Sequence, residues 1–150
     1  MRIFTIGYEG WGFDLWADEL LANGVQTVVD VRELPLSRRP GWSKRSLAEK
    51  LAERGLGYVH MRALGTPAPL RHGLRDGSLP FHEFAPQFRA MLDDRAEELD
   101  ALLHLARTQT VVLMCWEEDP AKCHRSLVVE ALGERADEPL DVVDIRRIAP

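Results

Sequence analysis

Hydrophobic positions along the chain follow two alternating patterns, short apolar runs and longer segments with helical spacing. The apolar runs predict strands at Arg2–Tyr8, Val25–Val31, Gly57–Met61, Thr110–Cys115 and Leu140–Ile145. Helical spacing predicts helices between them at Phe13–Asn23, Ser46–Arg54, Phe81–Leu92, Arg95–Arg107 and Ser126–Leu132. The glycine- and proline-rich segment Leu64–Pro80 is predicted to be a long irregular loop. This alternation predicts one three-layer α/β domain over residues 1–150, with a mainly parallel central sheet and helices on both faces.

Composition narrows the class of protein. The 150 residues are 45% hydrophobic and 29% charged, as in an ordinary globular domain. No run approaches the ~20 apolar residues that span a bilayer, and the N-terminus lacks the apolar core of a signal peptide. Two cysteines are too few for a disulfide scaffold. We therefore expect reduced thiols in a cytoplasmic protein that does not bind membranes.

The charge is unevenly distributed. Residues 32–75 contain ten Lys/Arg and three Asp/Glu, so this stretch carries +7 and the rest of the chain −12. A basic stretch in an acidic protein favours an anionic partner, which can be a small molecule, a nucleotide or a nucleic acid. Within it, Arg38, Arg39, Lys44 and Arg45 surround Trp42, a pattern suited to a phosphate backbone and a stacked base if the tryptophan is exposed. The alternative is that Trp42 folds back onto the core.

Polar residues or a cysteine lie at or near the ends of four of the predicted strands. Tyr8 ends the first, Asp30 and Arg32 flank the end of the second, His60 lies near the end of the third, and Cys115 ends the fourth. Because parallel strands end at the same edge of a sheet, these side chains are expected to share one crevice. Convergence of ionisable groups on a strand edge is typical of an active site.

The segment 111–127, VVLMCWEEDPAKCHRSL, carries the main candidate chemistry. Cys115 is a candidate nucleophile, because Arg125, His124 and the start of the following helix could stabilise its thiolate. Glu117, Glu118 and Asp119 oppose a thiolate, so we expect slow alkylation of Cys115 at neutral pH. The same acidic loop disfavours a phosphatase, and a buried core cysteine is the structural alternative.

Metal binding is not predicted. Cys115, Cys123, His124 and His60 offer suitable ligand atoms, but the spacing C-x7-C-H is not a standard zinc pattern. Adjacent Cys123 and His124 at a helix start cannot easily bind one tetrahedral ion. Nothing in the sequence identifies a cofactor.

Four blocks carry a family resemblance: TIGY at 5–8, VVDVRELPLSRRPGWSK at 28–44, LGYVHMRALG at 56–65 and LMCWEEDPAKCHR at 113–125. In these blocks and their order the chain resembles the family called domain of unknown function 488, whose activity is not established. The matching positions are Tyr8, Asp30, Arg32, Pro35, Ser37, Tyr58, His60, Leu64, Gly65, Cys115, Glu117, Cys123, His124 and Arg125. One departure is Gly65-Thr66, where the family commonly has Gly-Gly.

A weaker likeness is to rhodanese-type sulfurtransferases. Asp30-Val31-Arg32 after an early strand, with Cys115 and Arg125-Ser126 around a later strand-to-helix loop, resembles their outline. The loop here is longer and very acidic. This likeness implies an architecture and does not imply an activity.

Three hypotheses of function follow. The first is an enzyme acting on an anionic or nucleotide-like substrate. Its predicted catalytic residues are Cys115, His60, Glu117 and Asp30, and its predicted substrate-binding residues are Tyr8, Arg32, Ser37, Arg38, His124 and Arg125. The second is a nucleic-acid-binding accessory protein that uses the basic loop 32–45. The third is a non-catalytic scaffold whose ionic residues are structural.

Overall fold

The strands and helices alternate as predicted. The computed structural model describes residues 1–147. Its strands are β1 (Arg2–Gly7), β2 (Thr27–Asp30), β3 (Gly57–His60), β4 (Val111–Cys115) and β5 (Asp141–Ile145). Its α-helices are α1 (Phe13–Ala22), α2 (Lys44–Glu53), α3 (Ala68–Asp76), α4 (Phe81–Leu92), α5 (Ala96–Thr108) and α6 (His124–Arg135), and short 3-10 turns lie at Arg62–Leu64 and Pro120–Lys122.

The five strands form one sheet in the order β3-β2-β4-β1-β5, and every neighbouring pair is parallel. The three-layer α/β prediction is confirmed, and the described sheet is parallel throughout. The chain moves outward from β2 to edge strand β3, then returns to place β4 between β2 and β1. The connections leaving β2 and β4 therefore diverge, and such a divergence at the carboxyl ends of strands is where open α/β sheets bind ligands.

Each face of the sheet has its own apolar core. On one face, α1 and α2 contribute buried side chains such as Trp16, Leu20 and Leu47. On the other face, α4, α5 and α6 contribute Phe84, Leu102, Val128 and their neighbours. The central strands β2 and β4 are buried along their whole length, which explains their continuous apolar sequences.

The prediction of an irregular loop over Leu64–Pro80 is wrong in its middle part, because Ala68–Asp76 forms helix α3. Pro69 lies in its first turn, where proline is tolerated, and Gly77 ends it with φ +81°. Leu70 and Leu74, one helical turn apart, pack against the core beneath. The sequence did not predict this helix because its apolar stripe is short and because Gly73 lies within it.

No helix among residues 1–147 combines the length and the apolar character that crossing a membrane requires.

Gly7 allows the loop after β4 to pack on the end of β1. A Cβ atom at this position would overlap the backbone carbonyl of Glu117. We predict that Gly7→Ala lowers the free energy of unfolding by about 1–3 kcal/mol, because neither backbone can move without losing strand hydrogen bonds. Urea denaturation measures this. Gly12→Ala is the control, since a Cβ there meets open space; equal stability of the two variants would contradict the packing described.

Candidate functional site

Two polar clusters lie at the carboxyl edge of the sheet, one on each face. The first, the arginine–aspartate cluster, consists of Asp30, Arg32, Tyr58 and Tyr8. Arg32 donates from Nε to Asp30 Oδ1 at 2.9 Å and from Nη2 to Asp30 Oδ2 at 2.8 Å. Its Nη1 donates to the Trp42 carbonyl at 2.8 Å and lies 3.4 Å from the Tyr8 hydroxyl. Tyr58 donates its hydroxyl to Asp30.

This cluster is a buried, internally satisfied ion pair. Asp30 is fully buried and Arg32 is 7% exposed. Burial opposes the charge on Arg32, but the hydrogen bonds and charge of Asp30 outweigh that cost and raise the pKa of Arg32. Burial and the Asp30 carboxylate also raise the pKa of Tyr58. Because each guanidinium nitrogen of Arg32 has a partner within the protein, the cluster is suited to holding strand ends in position.

Two histidines hold the backbone that follows β2. His60 Nε2 lies 2.7 Å from the Arg32 carbonyl oxygen, and His124 Nε2 lies 2.6 Å from the Val31 carbonyl oxygen. Only a protonated ring nitrogen can donate to a carbonyl, so Nε2 of His124 carries the proton. In the neutral ring, Nδ1 therefore carries the lone pair. Burial lowers the pKa of His124 to about 4, so its ring is neutral at pH 7. The His124 contact joins the residues after β2 to the start of α6.

The second cluster, the thiol cluster, consists of Cys115, Glu117, Cys123 and Arg125. Arg125 Nη1 donates to Cys115 Sγ at 2.9 Å, and Glu117 Oε2 lies 3.4 Å from the same sulfur. The sulfur atoms of Cys115 and Cys123 are in disulfide contact. Both cysteines are 1% exposed. The sequence analysis expects separate reduced thiols; the structure instead pairs them, because the loop after β4 returns over the sheet edge to begin α6.

Arg125 is fully buried, yet no carboxylate of residues 1–147 forms an ion pair with it. Its described partners are Cys115 Sγ and the carbonyl oxygens of Glu117 and Glu118, and its Nε has no partner. A buried guanidinium is costly without an anion in contact. The atom in contact that can become an anion is the sulfur of Cys115.

The acidic loop affects Cys115 less than its sequence indicates. One oxygen of Glu118 accepts from the backbone N–H of Arg147, and Asp119 accepts from the N–H of Ala121. Only Glu117 contacts the sulfur. Burial raises the pKa of Glu117, with Glu9 acting in the same direction and Arg125 and Arg75 against it. A carboxyl that protonates readily opposes a neighbouring thiolate less than an ordinary one does.

The thiol cluster also contains the side chains most suited to a metal. Ligand atoms of Cys115, Glu117 and Cys123 lie within 4.8 Å of one another. The guanidinium of Arg125 contacts the same sulfur and repels a cation. These residues therefore suit sulfur chemistry better than metal binding.

The basic loop is largely committed to internal contacts. Trp42 is 2% exposed and stacks on Tyr8, with ring centroids 4.7 Å apart. Arg39 donates to the carbonyl oxygens of Tyr8 and Trp11, and Ser37 bonds to Ser43 and to the N–H of Arg39. Arg38 is exposed. The structure thus adopts the alternative in which Trp42 folds onto the core, where it cannot stack with a base.

Further arginines of the basic stretch pair with carboxylates. Arg54 contacts Asp14 and Asp18, and Glu33 is shared by Arg62 and Arg71. A surface cavity of about 520 Å³ opens between this loop and α2, lined by Leu36, Ser43, Lys44, Arg45, Ala48, Glu49 and Tyr58. It adjoins the arginine–aspartate cluster, and none of these lining residues belongs to the thiol cluster.

The prediction that the strand-end side chains share one crevice is wrong, because the predicted site residues divide into three groups across the two faces of the sheet. Cys115, Glu117 and Arg125 meet in the thiol cluster; Asp30, Arg32 and Tyr8 meet on the other face; and His60 and His124 contact the backbone between them. Ser37 and Arg38 lie in the basic loop. The site prediction omitted Tyr58, although its spacing of two residues from His60 places both on one face of β3, and Arg75, which carries no sequence signal.

The fold and the site define a parallel α/β domain with a buried Cys–Arg–Glu contact at the end of a central strand, but they do not define a family. A family model described as "Domain of unknown function DUF488" matches residues 14–132. The chain belongs to this family. Neither the search of curated proteins nor that of solved structures found a match.

The arginine–aspartate cluster gives a stability prediction. Asp30→Asn leaves the charge of Arg32 buried without its carboxylate, so we expect a loss of about 3–5 kcal/mol in the free energy of unfolding. Urea denaturation at pH 7 measures it. Glu49→Gln, which removes the carboxylate of the exposed Arg45–Glu49 pair, is the control and is expected to stay within about 0.5 kcal/mol. A small effect of Asp30→Asn would mean that Arg32 finds another anion.

His124 gives a pH prediction. Its folded pKa of about 4 lies below the ~6.5 of an unfolded chain, so protons bind the unfolded state more strongly. The His124 contribution is therefore constant above pH 6.5 and is lost as pH falls from 6.5 towards 4, by roughly 3 kcal/mol in total. Urea denaturation between pH 4.5 and 7.5 should show a shallower acid decline in His124→Asn than in the wild type. The exposed His104→Gln is the control, and identical slopes in all three proteins would contradict a buried neutral ring.

Proposed function

We propose that this protein is a thiol-dependent enzyme for a small anionic substrate, with Cys115 as the reacting group. One observation carries the proposal: the buried guanidinium of Arg125 donates to Cys115 Sγ at 2.9 Å and has no carboxylate in ion-pair contact among residues 1–147. A neutral sulfur is a weak acceptor, whereas a thiolate supplies the charge that a buried arginine needs. The contact therefore favours the nucleophilic form of Cys115.

Glu117 is the proton acceptor in this proposal. Its carboxylate lies 3.4 Å from Cys115 Sγ, within reach of the thiol proton. Burial raises the pKa of Glu117, which makes its carboxylate a better proton acceptor than an exposed one. Arg125 then holds the thiolate while Glu117 holds the proton.

The preference for an anion rests on the position of the site and on the positive charge of Arg75. Cys115 ends β4, where the connections from neighbouring strands diverge. Arg75 is exposed on α3 and close enough to lower the pKa of Glu117, so its positive charge reaches the thiol cluster. An anionic substrate approaching Cys115 is attracted by Arg75 and Arg125.

The remaining predicted residues take a supporting role here. Asp30 and Arg32 position the end of β2, and His60 and His124 anchor the backbone that follows it. We place the reaction in the cytoplasm, where small thiols keep a cysteine nucleophile reduced.

The test is the alkylation of Cys115 in reduced protein, followed by peptide mass spectrometry with iodoacetamide and with anionic iodoacetate. Burial is expected to make both reactions slow. The pH dependence should give Cys115 a pKa below the ~8.5 of a free thiol, and Arg125→Met should raise it by about 1–3 units. The ratio of iodoacetate to iodoacetamide rates should exceed that of free cysteine, and Arg75→Gln should lower it several-fold, because these arginines attract the anion.

Arg135→Met is the matched control, since Arg135 lies on the same helix, is partly exposed and pairs with Asp100. It should change neither the pKa nor the ratio. A Cys115 pKa at or above that of a free thiol, unchanged by Arg125→Met, would refute the proposal and leave the scaffold hypothesis.

A further inference from the structure

We infer that Cys123 is the resolving thiol of Cys115, and that the pair exchanges electrons with a small disulfide carrying carboxylates. This inference rests on the proposed function and adds a second reacting residue and a substrate class. The two sulfurs are in disulfide contact although eight residues separate them in the chain. The fold thus brings both reactants of a dithiol–disulfide exchange together.

Cys123 has its own means of losing a proton. It is the N-cap of α6, and the backbone N–H of Arg125 donates to its sulfur at 3.5 Å. A helix N-terminus stabilises a thiolate. On the other side, Cys123 Sγ lies 3.7 Å from His124 Nδ1. Because His124 Nε2 donates to the Val31 carbonyl, the Nδ1 lone pair is free to accept a hydrogen bond from the Cys123 thiol in the reduced pair.

The two cysteines have different environments, which assigns the order of the steps. Cys115 contacts a full positive charge, that of Arg125, whereas Cys123 contacts one backbone N–H and a neutral imidazole. Cys115 is therefore the thiolate present before the substrate arrives. Cys123 becomes nucleophilic only when it loses its proton in the second step.

The chemistry balances with one small disulfide, R–S–S–R. The Cys115 thiolate attacks one of its sulfurs, the S–S bond breaks, and R–S⁻ leaves with the proton that Cys115 gave to Glu117. Cys123 loses its proton and attacks Cys115 Sγ in the mixed disulfide. The Cys115–Cys123 disulfide forms, and the second R–S⁻ leaves with that proton. Two cysteines lose two electrons, and the small disulfide is reduced to two thiols.

The surroundings select the size and charge of the substrate. Each sulfur is 1% exposed, so an extended protein disulfide meets steric obstruction that a small molecule avoids. Arg75 and Arg125 favour carboxylates near the reacting sulfur. Glutathione disulfide has both properties and is the probe for the test.

The experiment treats reduced wild-type protein, Cys123→Ser and Cys115→Ser with glutathione disulfide and follows intact mass and peptide maps over time. The wild type should end as the internal disulfide without an adduct. Cys123→Ser should accumulate one glutathionyl group on Cys115. Cys115→Ser should react at least about tenfold more slowly, because its remaining thiol lacks the arginine contact.

Each contrary result has a distinct meaning. A stable glutathionyl adduct on Cys115 of the wild type would overturn the resolving role of Cys123 and leave the proposed function intact. Absence of reaction at Cys115 in both the wild type and Cys123→Ser would refute the proposed function and this inference together. Thermal melting checks that the serine variants are folded. If they are unfolded, the reaction of the wild type is quenched with acid at early times and the adduct is located by peptide mapping. An adduct on Cys115 that precedes the internal disulfide supports the inference. An adduct that forms first on Cys123 overturns it.

Discussion

The ion pair between Asp30 and Arg32 is the interaction on which the carboxyl edge of this sheet depends. It lies in the interior, where a charge is stable only with a partner in contact. Through it Arg32 holds the carbonyl of Trp42, and its own carbonyl meets His60. The preceding carbonyl, that of Val31, binds His124 and so locates the start of α6. The salt bridge therefore helps to position the thiol cluster on the opposite face, although the two do not touch.

The two buried arginines solve the same electrostatic problem in different ways. Arg32 has a bidentate carboxylate partner in Asp30. Arg125 has a sulfur whose charge depends on its chemical state. With the disulfide formed, Cys115 carries no charge, and with the pair reduced, its thiolate satisfies the arginine.

Much of this arrangement was predictable from the sequence, and the remainder has identifiable causes. The parallel sheet followed from the continuous apolar runs at Val28–Val31 and Val111–Met114, since both faces of each strand are covered. Strand-end residues were placed correctly at one edge. Their assignment to opposite faces needs the exact register, because a shift of one residue reverses every side chain.

Most of the contacts that the sequence did not predict join residues that the folding of a loop brings together. The contact of Arg39 with the carbonyls of Tyr8 and Trp11 depends on how a loop closes, which no spacing encodes. The pairing of Cys115 with Cys123 likewise depends on the loop returning over Gly7, and eight residues between two cysteines permit many other geometries. The sequence alone also could not show that Glu118 accepts from the N–H of Arg147 and Asp119 from the N–H of Ala121, while Glu117 contacts the thiol.

Burial has two opposing effects on Cys115, and their balance decides what the site can do. Exclusion of water strengthens the attraction between Arg125 and a thiolate, which favours the nucleophile. The same exclusion of solvent leaves the sulfur 1% exposed and slows the approach of a reagent. In the proposed function, contact with Arg125 lowers the pKa of Cys115 while burial limits the access of reagents, so a lowered pKa is compatible with slow alkylation. A small reactant that the surrounding arginines attract gains from the first effect and loses least from the second, and an anionic disulfide fits that description.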